Sequence, residues 1–142
     1  MTHDRETEAA RFARTWTGIA AMLMLLGVIL GAFGAHALRE LLDARQLASY
    51  QTGVLYHLLH ALGLLGVGLL SGLTGVSVPL RWAARFMLAG VLLFSGSIYL
   101  MTAGAPRVLG MVAPLGGVSF MIAWLLVAAH ALRRSQSRDG ST

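Results

Sequence analysis

Four long stretches of the chain are almost entirely apolar and are separated by short polar segments. They cover residues 17–35, 53–73, 83–102 and 112–132. Each is close to the length of about 20 residues at which a helix crosses a bilayer. Apart from Arg85, near the edge of the third stretch, none of them contains Asp, Glu, Lys or Arg. The pattern therefore predicts four membrane-spanning segments, called spans one to four below.

The order of residues within the spans favours helices over strands. The segment "LMLLGVIL" in span one does not alternate apolar and polar residues, as a transmembrane β-strand would. In lipid the backbone must satisfy its own hydrogen bonds, and a single helix does so. We therefore predict an all-α integral membrane four-helix bundle. Residues 1–15 form a predicted cytoplasmic N-terminal tail, residues 16–132 the four-span domain, and residues 133–142 a disordered cytoplasmic tail.

The loop between spans one and two has a helical period of its own. Leu38, Leu41 and Leu42 share one stripe, and Arg39 and Asp43 are four residues apart on another face. This pattern predicts a short helix that lies at the membrane interface. We interpret it as a connector between the spans, with a partner-binding site as the alternative.

Composition narrows the class of protein. The chain has 142 residues, of which 56% are hydrophobic and 12% charged, whereas about a quarter of the residues in a soluble domain are charged. It contains no cysteine, which excludes disulfides, thiolate metal sites and a catalytic thiol. Its net charge of +5 comes from arginines at the ends of the apolar stretches rather than on one basic face. We therefore predict a lipid bilayer as the environment and no nucleic-acid partner.

The arginines also predict the direction of the spans. With four spans both tails lie on one side, together with the loop between spans two and three. That side carries Arg5, Arg11, Arg14, Arg81, Arg85, Arg133, Arg134 and Arg138, and the other side carries Arg39, Arg45 and Arg107. Because arginine is enriched on the cytoplasmic side of membrane proteins, both termini are predicted to be cytoplasmic, in the cell inner membrane.

Small residues recur along the first two spans. In lipid no hydrophobic force draws helices together, so small residues at a spacing of four mark faces where backbones approach closely. These faces predict a groove for a neighbouring helix, from the same chain or from another copy, and hence a homo-oligomer or another membrane protein as partner. The predicted packing residues are Gly27, Gly31, Gly34, Ala35, Gly68 and Gly72.

Most of the polar side chains in the spans fall in the half predicted to face outward, and the inner half is close to pure hydrocarbon. This distribution predicts a polar cluster that opens toward the outside. The candidate cluster or ligand-binding residues are His36, Tyr56, His57, His60, Ser95, Tyr99 and Ser119.

The histidines admit two interpretations. The spacing of His57 and His60 predicts that both lie on one side of span two. With His36 they are weak candidates for zinc or copper ligands, because three imidazoles suit these metals. However, no carboxylate in the spans supports them, and hydrogen bonds that hold helices together are the preferred interpretation. We therefore predict no bound metal, no cofactor and no catalytic residue.

Several segments together resemble a known family. "GAFGAHAL", "YQTGVLYHLLHALGLLGVG", "LLFSGSIYL" and "VAPLGG" are similar to domain-of-unknown-function family 423, a group of small bacterial membrane proteins with four predicted spans. The resemblance covers roughly residues 17–132. It implies an inner-membrane protein and brings no established activity, substrate or catalytic residue. One departure is "VAPLGG", where relatives often have a segment like "ITPIGG".

Three functions fit these features. The first is a non-enzymatic membrane bundle or accessory subunit; the second is a small oligomeric transporter or channel subunit with an outer vestibule. The third is a histidine-based metal-binding membrane protein or enzyme. Histidines facing inward around a water-accessible cavity would favour the second or third, whereas side chains bound to neighbouring backbone would favour the first.

Overall fold

The computed structural model describes the backbone of residues 2–139 and the side chains of residues 6–133. Within that part of the chain there is no strand, which confirms the all-α prediction. Four helical segments are long and apolar enough to cross a membrane, at Glu6–Glu40, Ala44–Thr74, Val78–Thr102 and Arg107–Arg133. The helices are α1 Thr2–His36, α2 Ala44–Thr74, α3 Val78–Gly90, α4 Gly96–Thr102 and α5 Ala113–Asp139.

Short irregular turns join these helices. A 3-10 turn, Leu38–Glu40, follows α1, and another, Arg107–Met111, precedes α5. A π-helical turn, Val91–Ser95, joins α3 to α4, so span three is α3, the π turn and α4 in succession. We call the end of the bundle with the α1–α2 connection the outer end, and the end with the α2–α3 connection the inner end.

Residues 2–15 belong to the same helix as span one. The helix α1 is continuous from Thr2, so the predicted boundary at residues 15–16 lies inside it. Ala9 is buried and Trp16 packs against the main core. Glu8 forms an ion pair with Arg81 of α3. The segment is rich in Ala, Glu and Arg, which have high helix propensity, and the helix therefore extends beyond the apolar stretch.

The helix α2 begins nine residues before the predicted start of span two. Asp43 is its N-cap: the Asp43 carboxylate accepts from the Gln46 N–H at 2.8 Å, and the Gln46 side chain accepts from the Asp43 N–H at 3.1 Å. This capping box satisfies two backbone donors that a helix start leaves free. The predicted interfacial helix is therefore divided between the 3-10 turn Leu38–Glu40 and the first turns of α2.

The bundle consists of two helix pairs joined by α2. The helix α1 packs along α2, α3 packs along α5, and α2 also contacts α3, the π turn and α4. The main core lies where these helices meet, and a smaller core near the outer end contains Leu38, Tyr50 and Val54. The buried residues of the main core are Ala20, Leu64, Val67, Leu80, Ala83, Ala84, Met87 and Ala123.

The polar residues 133–139 continue α5. The backbone is helical to Asp139, which differs from the prediction of a disordered tail from residue 133. Because Ala, Leu, Arg and Gln favour helix, the helical period persists beyond the apolar stretch. Residues 140–142 and the side chains beyond Arg133 lie outside the described part of the chain.

Candidate functional site

The predicted glycine groove on α1 is occupied by α2 of the same chain. A Cβ atom added at Gly34 would lie 2.5 Å from Tyr50 Cε1, and one added at Gly27 would lie 2.6 Å from Leu58 Cδ2. At Gly31 the nearest atom would be a Val54 methyl carbon, at 3.3 Å. Real Cβ atoms do not approach as closely as those at Gly27 and Gly34 would, and the contact at Gly31 would be tight, so glycine at these positions allows the two helices to lie close together.

Ala35 lies outside this groove. It is exposed, whereas Gly34 and Leu38 are buried on the side that faces α2. With 3.6 residues per turn, each step of four residues drifts by about 40° around the axis. A contact face therefore alternates steps of three and four, as Gly27, Gly31, Gly34 and Leu38 do. The prediction placed Ala35 on the face because it assumed a constant step of four.

The two predicted packing glycines of α2 contact α1 at the inner end. A Cβ atom at Gly68 would lie 2.8 Å from the Thr17 hydroxyl and 3.1 Å from the Thr17 backbone nitrogen. One at Gly72 would lie 3.3 Å from the Ala13 Cβ atom. Small residues thus line the α1–α2 interface over its whole length.

His57 belongs to a cluster that lies between α1, α2 and α4. Its side chain is 1% exposed, and its Nδ1 lies 3.2 Å from the Tyr99 hydroxyl. The Tyr99 ring packs against Tyr50, with centroids 5.4 Å apart, and the Tyr50 hydroxyl donates to the Leu30 carbonyl at 2.8 Å. We call these three residues the His57–Tyr99–Tyr50 cluster.

The second ring nitrogen of His57 is not satisfied in the same way. Nε2 is buried and has no hydrogen-bond partner among the described residues. The Leu23 carbonyl of α1 approaches the ring but does not meet hydrogen-bond geometry at Nε2. Leaving such a buried group unpaired reduces the stability of the fold by about 1–3 kcal/mol. The cluster therefore stabilises the bundle through packing and through the bonds of its tyrosines more than through this imidazole.

His60 points to a different neighbour. It donates from Nδ1 to the Tyr56 carbonyl at 2.8 Å, and its ring stacks on Phe120 of α5 with centroids 3.4 Å apart. Phe94 and Trp124 complete this group, which we call the aromatic cluster. Tyr56 is at its edge, 38% exposed.

The three candidate metal ligands are not brought together. His57 and His60 leave α2 toward α4 and α5 respectively, because residues three apart differ by about 60° around a helix. The expectation that both lie on one side was too coarse. His36 is exposed at the end of α1. Within residues 6–133 no three His, Cys, Asp or Glu side chains lie close enough to share a metal ion.

The predicted serines bind backbone groups. Ser95 donates to the Gly53 carbonyl of α2 at 2.8 Å, and Ser119 of α5 donates to the Phe86 carbonyl of α3 at 2.8 Å. Both bonds connect two helices. Their hydroxyl protons are therefore committed to the protein, which is the arrangement expected of residues that hold helices together.

A polar group at the inner end was missed by the sequence analysis. His130 of α5 is buried, its Nδ1 is 2.9 Å from the Ser77 hydroxyl, and its Nε2 is 3.3 Å from the Thr74 hydroxyl. Ser71 is also buried and donates to the Val67 carbonyl at 2.9 Å. The prediction of an inner half close to pure hydrocarbon is therefore wrong. One sign of this group was present in the sequence. Ser77 is a favourable N-cap residue two positions before a proline, which marks the start of a helix and places a hydroxyl at the inner end.

Comparisons with known proteins agree with this architecture. The family described as "Protein of unknown function (DUF423)" matches residues 30–117. The UPF0382 membrane protein YwdK of Bacillus subtilis is 41% identical over 116 residues, which cover 81% of this chain and 94% of that protein. The UPF0382 inner membrane protein YgdD of Escherichia coli K12 is 37% identical over 114 residues, 80% of this chain and 86% of that protein. No solved structure matches significantly.

Proposed function

Because this chain belongs to the DUF423 family of membrane proteins, whose function is unknown, we propose that it is a non-enzymatic helical bundle serving as an accessory or structural subunit. One observation carries the proposal. Each of the two helix pairs, and the contact of α2 with span three that joins them, has one hydrogen bond from a buried or half-buried side chain to a backbone carbonyl. These bonds are Tyr50 to Leu30 between α2 and α1, Ser95 to Gly53 between span three and α2, and Ser119 to Phe86 between α5 and α3.

Most of the polar residues of the spans are accounted for by this role, with the buried Nε2 of His57 as an exception. A transporter would need hydroxyl and imidazole groups that face a water-filled path, and a metal site would need imidazoles that converge. Instead, the hydroxyls of Tyr50, Ser95 and Ser119 donate to carbonyls, and His57 and His60 point to different helices. The arrangement thus favours the structural role over both alternatives.

We further propose an orientation in which the inner end faces the cytoplasm of the cell, with the protein in the inner membrane. Arg11, Arg14, Arg81, Arg85 and Arg133 belong to the inner end, where α1 begins, α3 begins and α5 leaves the apolar stretch. This excess over the three arginines of the outer end supports cytoplasmic termini.

The face of α1 that points away from α2 supports assembly with a further helix, from outside this bundle. The helix α1 packs along α2, and its opposite face carries an apolar groove of about 560 Å³ lined by Gly18, Met22, Leu25 and Ile29, among others. A Cβ atom at Gly18 would meet no other atom within 4 Å, so a neighbouring backbone has room to approach there. We propose this face as the contact for another copy or another membrane protein.

The structural role is tested by a pair of tyrosine variants. Tyr50→Phe removes the hydroxyl that binds the Leu30 carbonyl and keeps the ring, so we expect a loss of about 0.6 kcal/mol in the free energy of unfolding. Tyr56→Phe is the control, because the Tyr56 hydroxyl makes no hydrogen bond to the described residues and the ring is partly exposed. The measurement is unfolding of the purified protein in one detergent. Equal stability of the two variants would count against the proposal.

The absence of a metal site is tested on the same preparation. Native mass spectrometry with elemental analysis gives the copy number and the metal content per chain. We expect no stoichiometric zinc or copper in the wild-type protein, and no change in metal content in His57→Ala. One metal ion per chain that is lost in His57→Ala would overturn the structural role in favour of the metal-binding alternative.

A further inference from the structure

The outer end of the bundle contains a polar pocket that the proposed function does not use. It has a volume of about 440 Å³, within the range of small-molecule sites. It lies between the first turns of α2 and the end of span three, and the 3-10 turn before α5 borders it. Its polar lining includes Arg45, Gln46 and Ser49 from α2, Thr102 from α4, and Arg107.

Two of the three arginines at the outer end line this pocket. Arg45 and Arg107 are 62 residues apart in the sequence, and the fold brings both to one cavity. Neither makes an ion pair or a side-chain hydrogen bond with any residue between 6 and 133. Two guanidinium groups are therefore available to a ligand in the same space.

The acidic residue in the pocket forms no ion pair with either arginine. Asp43 also lines the cavity, but its carboxylate accepts the Gln46 N–H at 2.8 Å as the cap of α2. A carboxylate at a helix N-terminus interacts with the positive end of the helix dipole. With Arg45, Arg107 and Asp43 in its lining, the pocket therefore has an excess of one positive charge, and both guanidinium groups are free of ion pairs with residues 6–133.

The lining also has an apolar side. Ile98 and Met101 of α4 form part of the wall, next to Thr102 and the arginines. A pocket with two arginines, a hydroxyl and an amide beside apolar side chains suits an anion that is carried on, or lies next to, a hydrocarbon chain. The arginine side chain binds phosphate oxygens with two parallel hydrogen bonds, which makes it the residue of choice for this ligand.

We propose that this pocket binds a phosphate-type anion through Arg45 and Arg107. The anion has two possible sources, the headgroup of an anionic phospholipid or a free phosphate-containing solute. The proposal also explains why these arginines stand at the outer end, since the distribution that orients the spans does not require them there. It does not depend on whether the bundle is an accessory subunit.

The test uses the full-length protein in detergent. Native mass spectrometry measures binding of phosphatidylglycerol across a concentration series, with phosphatidylcholine at the same concentrations as the neutral lipid. We expect phosphatidylglycerol to bind in preference. Arg45→Gln and Arg107→Gln should each weaken its binding by roughly tenfold, because each removes a charge-assisted pair of hydrogen bonds.

The matched control is Arg39→Gln. It removes one positive charge from the same end of the bundle, at an exposed residue that does not line the pocket. We expect it to change binding by less than about twofold, since exposed charges at a distance are screened. Melting of each variant checks that the fold is kept, and exposed Arg45 and Arg107 tolerate substitution because they contribute no buried contact.

Inorganic phosphate distinguishes the two sources of the anion. If phosphate displaces phosphatidylglycerol at millimolar concentration, the phosphate group alone is recognised; if it does not, recognition includes the lipid chain. Either result supports the site when Arg45→Gln and Arg107→Gln weaken it. Equal binding of the two lipids, or an effect of Arg39→Gln as large as that of Arg45→Gln, would overturn the proposal. So would the failure of both phosphatidylglycerol and phosphate to bind.

Discussion

The two sides of α2 contact their neighbours by different means. Toward α1 the close approach depends on glycine, since Gly34 makes room for the ring of Tyr50, and one hydrogen bond, from the Tyr50 hydroxyl to the Leu30 carbonyl, accompanies it. Toward span three and α5 the contact depends on side chains, with His60 stacked on Phe120 and a serine bound to the Gly53 carbonyl. The first side fixes how close two helices lie. The second restricts the register more strongly, because it combines a directed hydrogen bond with a stacked aromatic ring.

The two sides also differ in how freely a helix can move. In the apolar part of span one 17% of the residues are buried, compared with 33% in that of span three and 22% in that of span four. The helix α1 packs mainly on one neighbour and has an open face, so it can shift away from an added methyl group. The helix α5 is held against the backbone of the π turn by Gly116. Added volume should therefore destabilise the α5 side more than the α1 side.

The largest effect is expected from Gly116→Ala. A Cβ atom there would lie 2.8 Å from Phe94 Cα and 2.7 Å from Phe94 Cβ, so the backbone of the π turn or of α5 must move. Overpacking of this kind costs about 1–3 kcal/mol. Gly117→Ala is the control, since a Cβ atom at that position has no neighbour within 4 Å. The free energy of unfolding in detergent is the measurement, and similar values for the two variants would refute the close contact.

A smaller effect is expected from Gly68→Ala on the α1 side. Its Cβ atom would lie 2.8 Å from the Thr17 hydroxyl and 3.1 Å from the Thr17 nitrogen, but α1 can retreat toward its open face. We expect a loss of about 1 kcal/mol in the free energy of unfolding, at the low end of the range for overpacking. Gly66→Ala, with no atom within 4 Å of the added Cβ, should be neutral or slightly stabilising. If Gly68→Ala costs more than Gly116→Ala, the comparison between the two sides is wrong.

The sequence predicted the features that depend on local pattern. The number of spans follows from apolar length, and the facing of Gly27, Gly31 and Gly34 follows from helical spacing. Apolar length predicted the start of span two at residue 53 and a separate interfacial helix before it, whereas α2 is continuous from Ala44, because apolar length takes no account of capping. The carboxylate of Asp43 and the amide of Gln46 start the helix in polar sequence.

The features that depend on packing between distant residues were not predictable. His57 contacts α4 and His60 contacts α5, so the two rings point apart. The separation depends on which helices pack on each side of α2, and local sequence patterns do not show that. The same holds for His130, which meets Ser77 across the inner end. The pocket at Arg45 and Arg107 likewise exists only because span three and α2 meet there.

The smallest effect is expected from two serines in span three. Ser95 donates to the Gly53 carbonyl of another helix at 2.8 Å, whereas Ser97 donates to the Phe94 carbonyl of its own helix at 2.9 Å. Ser95→Ala should therefore reduce the free energy of unfolding by about 0.6 kcal/mol, the average for a hydrogen bond between helices in a membrane. Ser97→Ala removes a bond within span three, which does not hold two helices together. We therefore expect it to change the free energy of unfolding by close to zero. Both serines are buried, so the two alanine variants lose the same side-chain volume from similarly buried positions. If Ser97→Ala costs as much as Ser95→Ala, the register on this side of α2 is set by the aromatic cluster rather than by the serine, and Phe120→Leu then becomes the variant that separates the two sides.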